Sequence, residues 1–199
     1  MNRDESIKKL KRILDPYDQV DSKIFEKAIA YFELKDFQNR EYLKQAGDTD
    51  RYLRYILEGV AVLCHISEKG VSTTKYVFLP GSIAYDPESW SSNFPSNYTI
   101  EARSEVETIM LKKSFEKELI RKFPEFLPIL MKMIMKFQSS FMQFQMEFSS
   151  LNSFQKYDKL LGFFPHLGNI LMSKDISGVL GISRSTLCAI KRSKENDNS

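Results

Sequence analysis

Residues 173–192 read SKDISGVLGISRSTLCAIKR. Ser183 reads as the N-cap of a helix, and Gly181 as the left-handed residue of the tight turn before it. On that helix Leu187 and Ile190 face a core, with Ile182 buried in the turn. Arg184, Ser185, Cys188, Ala189, Lys191 and Arg192 stay on or near the outer face. Upstream, Ser173 caps a shorter helix that buries Ile176, Val179 and Leu180. Two helices, a glycine turn and a basic outer face make the helix-turn-helix pattern. The chemistry on offer is noncovalent. The second helix fits the major groove of duplex DNA, where Arg184 can read a guanine through two hydrogen bonds. The turn from Ser183 through Ser185 and Thr186 favours a phosphate, because free backbone N–H groups and the helix dipole point at it. Lys174, Lys191, Arg192 and Lys194 are expected as salt-sensitive phosphate contacts. The plainer reading is an αα-hairpin with a basic face.

Charge placement favours the polyanion. Of 29 basic and 26 acidic side chains, 7 and 4 lie in residues 152–199, so the whole excess of +3 sits in the last quarter. A local basic excess draws a polyanion. Chemistry of other kinds finds little support. His65 and His166 fall in different expected units, and no nucleophile–base pair stands out, so no catalytic residue, metal site or cofactor is assigned. Cys64 and Cys188 also fall in different elements, which excludes a disulfide framework and fits a reducing cytoplasm. The N-terminal MNRDESIKKLKRIL carries charges where an export signal needs an apolar stretch.

A reader of DNA needs a scaffold, and residues 125–151 supply its axis. Leu127, Leu130, Ile134, Phe137, Phe141, Phe144, Phe148 and Leu151 are spaced 3, 4, 3, 4, 3, 4, 3. That heptad seam puts them on one stripe of one helix. Pro124 and Pro128 mark its start. The helix is expected to run roughly 36 Å. Its stripe calls for a partner of equal length, most simply a second copy across a two-fold axis. Methionines off the seam then face the chain's own domain. A core helix in a monomeric bundle is the alternative. Lys132, Lys136, Gln138, Gln143, Gln145 and Glu147 interrupt it too often for a membrane span.

Upstream, residues 4–14 suggest a short amphipathic helix ended by Asp15-Pro16. A second helix follows, capped by Asp21 or Ser22, with Ile24, Phe25, Ala28, Ile29 and Phe32 inward. From residue 32 to 112 short apolar runs alternate with turns. The expected strands are 32–37, 52–57, 60–66, 72–79, 98–102 and 107–111, with turns at Ala46-Gly47-Asp48, Glu58-Gly59, Glu68-Lys69-Gly70 and Pro80-Gly81. This spacing indicates an antiparallel sandwich or barrel whose interior can hold a small ligand. Ser114 is the expected N-cap of a short helix ending at Pro124, and another helix runs from Phe154 to Phe164. The fold class is therefore α+β. Residues 1–124 form an antiparallel β-roll, 125–151 a dimerisation helix and 152–199 a helix-turn-helix unit.

GDTDRYLRYILEGVAVL, EKG, FLPGSI, PSNYTIEA and ISGVLGISRSTLCAIKR, in this order around a long helix, resemble the Crp/Fnr family of bacterial transcription regulators. DPESW, FPSNYTIEA and the spacing from Pro165 to Gly181 look most like its branch in Bacteroidetes. The resemblance implies a cytoplasmic homodimer that binds a roughly palindromic duplex site at promoters, with RNA polymerase as a further partner. The roll, which resembles a cyclic-nucleotide-binding domain, would sense an effector or have lost one. Ser82, Tyr85, Asp86, Trp90, Ser96 and Asn97 line the expected pocket. A solvated loop anchored by Trp90 is the blander reading of that segment.

The sequence also departs from the family pattern. Cyclic-nucleotide binders resembling this chain carry Gly-Glu after the Pro-Gly turn and an Arg followed by Ser or Thr. Here Gly81-Ser82-Ile83-Ala84-Tyr85 has no Glu in register, and Ser96 falls at about the Arg position. A buried phosphate without its Arg is poorly compensated, so cyclic AMP is not expected. Iron–sulfur sensing needs about four cysteines, and His65 reads as a structural histidine rather than a haem ligand. Arg, Glu and Arg on the family's recognition helix match Arg184, Ser185 and Ala189, so only the first is kept. A dimeric sensor that no longer binds a defined operator is the alternative function.

Overall fold

The computed structural model describes residues 8–9, 11–13, 21–163 and 165–197. Of the expected first helix, residues 8–9 and 11–13 are helical, and the rest of that segment and Phe164 lie outside the described residues. The Asp21 carboxylate accepts the Lys23 N–H at 2.7 Å and starts α1 (Ser22–Ala28). After a 3-10 turn at Ile29–Tyr31, Phe32 opens β1 (Phe32–Phe37) instead of continuing the helix. Cross-strand pairing with Leu111, Ile109 and their neighbours overrides the helical reading there.

The remaining strands are β2 (Tyr42–Lys44), β3 (Tyr52–Glu58), β4 (Ala61–Ile66), β5 (Ser72–Phe78), β6 (Ile83–Ala84), β7 (Tyr98–Ala102) and β8 (Val106–Lys112), with α2 (Pro87–Ser92) before β7. They form two antiparallel four-stranded sheets, β1-β8-β3-β6 and β2-β7-β4-β5. Phe37, Ile56, Phe78, Ile100 and Met110 fill the space between the sheets. β2 and β6 were not expected. At three and two residues they are too short to display an alternation. Residues 87–92 are a helix rather than a loop, because the Asp86 carboxylate accepts the Glu88 and Ser89 N–H groups and Pro87 sits in the first turn.

Five helices and one short turn of helix complete the chain: α3 (Lys113–Lys122), α4 (Phe126–Ser149), α5 (Ser153–Phe163), α6 (Leu167–Ile170), α7 (Ser173–Leu180) and α8 (Arg184–Asp197). Helix α3 begins one residue before Ser114 with no side-chain cap. Asn152 and Gln155 cap α5 reciprocally, each side chain accepting the other's backbone N–H at 3.0 Å. No described helix is long and apolar enough to cross a membrane.

The outer faces of both sheets are covered. Leu53, Ile109 and Leu111 lie under Leu119 of α3 and Phe126, Ile129 and Met133 of α4. Val60, Val62, Cys64 and Val77 share a core with Leu160, Ile176, Leu180, Leu187 and Ile190 of the C-terminal helices.

The long helix is turned differently from the expected arrangement. Its seam, Leu127 apart, faces inward, with Phe148 buried and the rest half-buried. Leu130, Ile134 and Phe137 pack on the roll, while Phe144 and Phe148 pack toward the C-terminal helices. Tyr76 of β5 meets the rings of Phe137, Phe141 and Phe144 edge-on at 5.0–6.3 Å. Leu151, at the end of the seam, is half-buried. The free face instead carries Leu127, Met131, Met135, Met142 and Met146, which are 43–70% exposed. At 100° per residue these five fall within about 100° of arc. The cause is the roll itself. Its aromatic edge offers the Phe seam a partner within the chain, so the methionines are left for solvent or a second molecule.

Candidate nucleic-acid interface and the roll beneath it

Helix α7 ends at Gly181, whose φ of 66° and ψ of 31° are the left-handed values expected of a C-cap. Ser183 then caps α8, its Oγ accepting the Thr186 N–H at 3.0 Å. The Ser183 hydroxyl also meets Ser185 Oγ at 2.7 Å and Thr186 Oγ1 at 2.8 Å. Three hydroxyls therefore cluster at the first turn, where backbone N–H groups point outward. Leu187 and Ile190 are each 1% exposed and anchor the helix. Ser183, Arg184, Ser185, Thr186, Cys188, Ala189 and Arg192 are exposed, and Lys191 is half-buried. Lys174 is exposed on α7. The α8 residues among these share the outer face of that helix, opposite Leu187 and Ile190. Lys194 differs, because it forms an ion pair with Asp158 of α5.

Ser173 does not cap α7. Met172 is the N-cap residue, and Asp175 supplies the capping carboxylate by accepting the Met172 N–H at 3.1 Å. Asp175 is wholly buried and does more than cap. It accepts Arg103 Nε at 2.8 Å, Arg103 Nη2 at 3.1 Å and Thr74 Oγ1 at 2.7 Å. Arg103 also pairs with Glu101 at 2.6 Å. Burial by itself would raise the Asp175 carboxyl, but these partners outweigh it and hold the group below its ordinary value. Alongside, Gly178 lies so close to β5 that a Cβ there would sit 2.7 Å from the Thr74 carbonyl oxygen. Helix α7 is thus seated directly on the roll. Sequence reasoning missed this contact, since Arg103 and Asp175 are 72 residues apart and neither belongs to a local pattern.

Of the expected ligand-pocket residues, Asp86 and Ser96 join a buried hydrogen-bond network, and the other four lie outside it. Ser82 Oγ is held in its own turn by the backbone of Leu79. Tyr85 is buried, with its ring 6.3 Å from that of Phe137. Asp86 is buried, caps α2, accepts the Ser96 hydroxyl and donates its backbone N–H to Asp50 Oδ2 at 2.8 Å. Asp50 in turn accepts Arg54 Nη1 at 2.9 Å, and both side chains are buried. Trp90 is half-buried under the Lys113 ammonium, and Asn97 is exposed. Lys44 joins the network from β2, donating to the Tyr98 carbonyl at 2.6 Å. Burial lowers its pKa, against the pull of Asp50 and Asp86. Lys44, Asp50 and Arg54 were not singled out in the sequence. Asp50 and Arg54 look like ordinary surface charges until the strand turns them inward.

Metal-site geometry is not among the arrangements present. Among the described residues no three His, Cys, Asp or Glu side chains converge as a metal site. His65 stands beside the Tyr98 ring at 5.4 Å, while His166 precedes α6.

Comparison with solved structures places this architecture. The chain superposes on the c-di-GMP-responsive global regulator CLP of Xanthomonas campestris with a TM-score of 0.67 at 12% identity, over 89% of this chain and 93% of that one. FixK2 of Bradyrhizobium japonicum gives 0.65 at 11% identity over 84% and 86%. The catabolite activator protein of Thermus thermophilus gives 0.52 at 15% identity over 94% and 88%. The chain has the Crp/Fnr fold. The likeness runs through roll, long helix and C-terminal helices alike, and at these identities it is a likeness of fold. No family model matches the sequence, and no curated protein matches it. In this chain α7 and α8 are joined by the glycine turn at Gly181, and α4 connects the roll to the C-terminal helices.

Proposed function

We propose that the chain is a homodimeric, cytoplasmic, DNA-binding transcription regulator of the Crp/Fnr family and not an enzyme. One observation carries this reading. Helix α8 is anchored by Leu187 and Ile190 while its capped first turn and outer face, from Ser183 to Arg192, are open to solvent. That is the presentation a recognition helix needs to enter a major groove. Solved neighbours of the same fold include a global regulator and a catabolite activator protein.

The dimer face is the methionine stripe of α4. Exposed apolar side chains on one stripe of a long helix suit a coiled pairing with a second copy. Methionine adapts readily to such a surface. Two copies of α8 then address two half-sites, and the operator is roughly palindromic.

The roll does not take cyclic AMP. At the position where the resembling binders hold the cyclic phosphate with Arg, Ser96 donates instead to the Asp86 carboxylate, and Asp50 lies next to it. A phosphate there would meet two carboxylates, with Arg54 already committed to Asp50 and Lys44 to the Tyr98 carbonyl.

Selection from a random duplex pool with the purified protein tests the reading. A two-fold symmetric sequence is expected to be enriched, with binding unchanged by added cyclic AMP. Absence of enrichment, with binding lost near physiological salt, would favour a dimeric interaction module that has given up its operator.

A further inference from the structure

The roll, the long helix and the C-terminal helices do not close completely where they meet. A cavity of about 310 Å³ remains, lined by Tyr76 and Leu79 of the β5 segment, Phe144 of α4, and Leu160, Leu167 and Val179 of the C-terminal unit. It is separate from the Asp50–Asp86 network, with which it shares no residue. Its size falls at the lower end of small-molecule sites. An apolar cavity of about 150 Å³ holds one benzene, so this one matches two fused rings.

The lining narrows the chemistry further. Tyr76 and Phe144 stand edge-on at 6.3 Å, and such aromatic edges and faces suit a flat aromatic guest. The Tyr76 hydroxyl has no hydrogen-bond partner among the described residues. Burial pushes its pKa up to about 12, so it stays protonated and is a donor. Glu147 stands on the rim, paired with Lys159 of α5 and Gln143 of its own helix. Lys159 and Gln143 hold its carboxyl below the usual range, and it remains an anion that repels other anions.

We propose that this junction is a ligand site for a neutral, two-ring aromatic molecule bearing a hydrogen-bond acceptor that meets the Tyr76 hydroxyl. The guest touches the roll, the long helix and the C-terminal unit at once.

Quinoline, neutral above its own pKa and carrying one ring acceptor, is the probe. Naphthalene is the same shape without the acceptor. Titration calorimetry on the full chain is expected to give saturable binding, one quinoline per chain. Ser140 lines the cavity from an exposed position, so Ser140→Trp fills it without disturbing a buried site. This variant should keep its melting temperature and lose quinoline binding by more than about tenfold. Tyr76→Phe should weaken quinoline about fivefold, the loss of one hydrogen bond, and leave naphthalene unchanged. Absence of saturable binding overturns the proposal, as does binding that neither variant alters. Quinoline affinity that falls as protein concentration rises would assign the cavity to a second copy of the chain and overturn it as well.

Discussion

Arg103 and Asp175 face each other across the seam between the roll and the C-terminal helices, in a two-pronged contact of 2.8 and 3.1 Å. Arg103 is 4% exposed and Asp175 is not exposed at all. Removing Asp175 leaves the buried Arg103 charge with Glu101 alone, and a buried pair that loses one partner is strongly destabilised. Asp175→Asn should therefore lower stability by about 3 kcal/mol, read as a drop in the urea midpoint at unchanged slope. The pair Arg103→Met with Asp175→Leu should recover much of that loss, because packed apolar groups of similar size carry no desolvation penalty. A single substitution costing less than about 1 kcal/mol would place the contact among surface-like ion pairs.

Acid should act through the same carboxylate. The folded protein holds Asp175 below its ordinary pKa, so it binds fewer protons than the unfolded chain in the interval between the two values. Its contribution is complete above the unfolded value, about 3.9, and is lost as pH falls through the lower folded value. Urea midpoints measured on acidification should fall more steeply below about pH 4 in the parent chain than in Asp175→Asn. Parallel curves would remove this carboxylate from the acid response.

Gly178 reports the same docking sterically. Gly178→Ala improves helix propensity by about 1 kcal/mol, yet its new methyl would press on the Thr74 backbone. Overpacking of this kind costs about 1–3 kcal/mol. A net loss of stability is expected by thermal melting, and a net gain would mean α7 has room to move.

On the free side of α4, Met142→Glu places a charge in the centre of the exposed stripe, at a residue 63% exposed. Sedimentation should shift from twice 23.2 kDa to 23.2 kDa, with circular dichroism preserved. Phe141→Glu, on the inward seam, should unfold the chain rather than merely split it.

In DNA binding, Arg184→Ala should cost about 1–3 kcal/mol and relax the preference at one base position. Arg192→Ala should weaken all sequences alike and reduce the salt slope by about 1. Equal behaviour of the two in a salt titration would remove Arg184 from base readout.

How much of this was legible in the sequence depended on whether a signal was local. Gly181, Ser183, Leu187 and Ile190 announce their roles within a dozen residues, so the two helices and the turn between them could be read directly. The long strands and the long helix were equally plain from periodicity. The facing of that helix was not. Both its Phe seam and its Met stripe are apolar, and only the aromatic edge of the roll at Tyr76 and Phe78 decides which one turns inward. The Asp50–Arg54 and Arg103–Asp175 contacts stayed hidden for a related reason. A charged residue in a sequence looks solvated until its partner is known.

The shared core beneath α7 has a consequence for engineering. Val62 and Val77 of the roll are covered by Ile176 and Leu180 from the C-terminal helices. A graft that exchanges only residues 173–197 for the C-terminal helices of another protein of this fold would uncover a hydrophobic wall and leave Arg103 with Glu101 alone. A transplant that works must bring an aspartate at position 175 and a glycine at position 178, or redesign the strand that receives them. The C-terminal helices are interchangeable in topology, but their underside is specific to this roll.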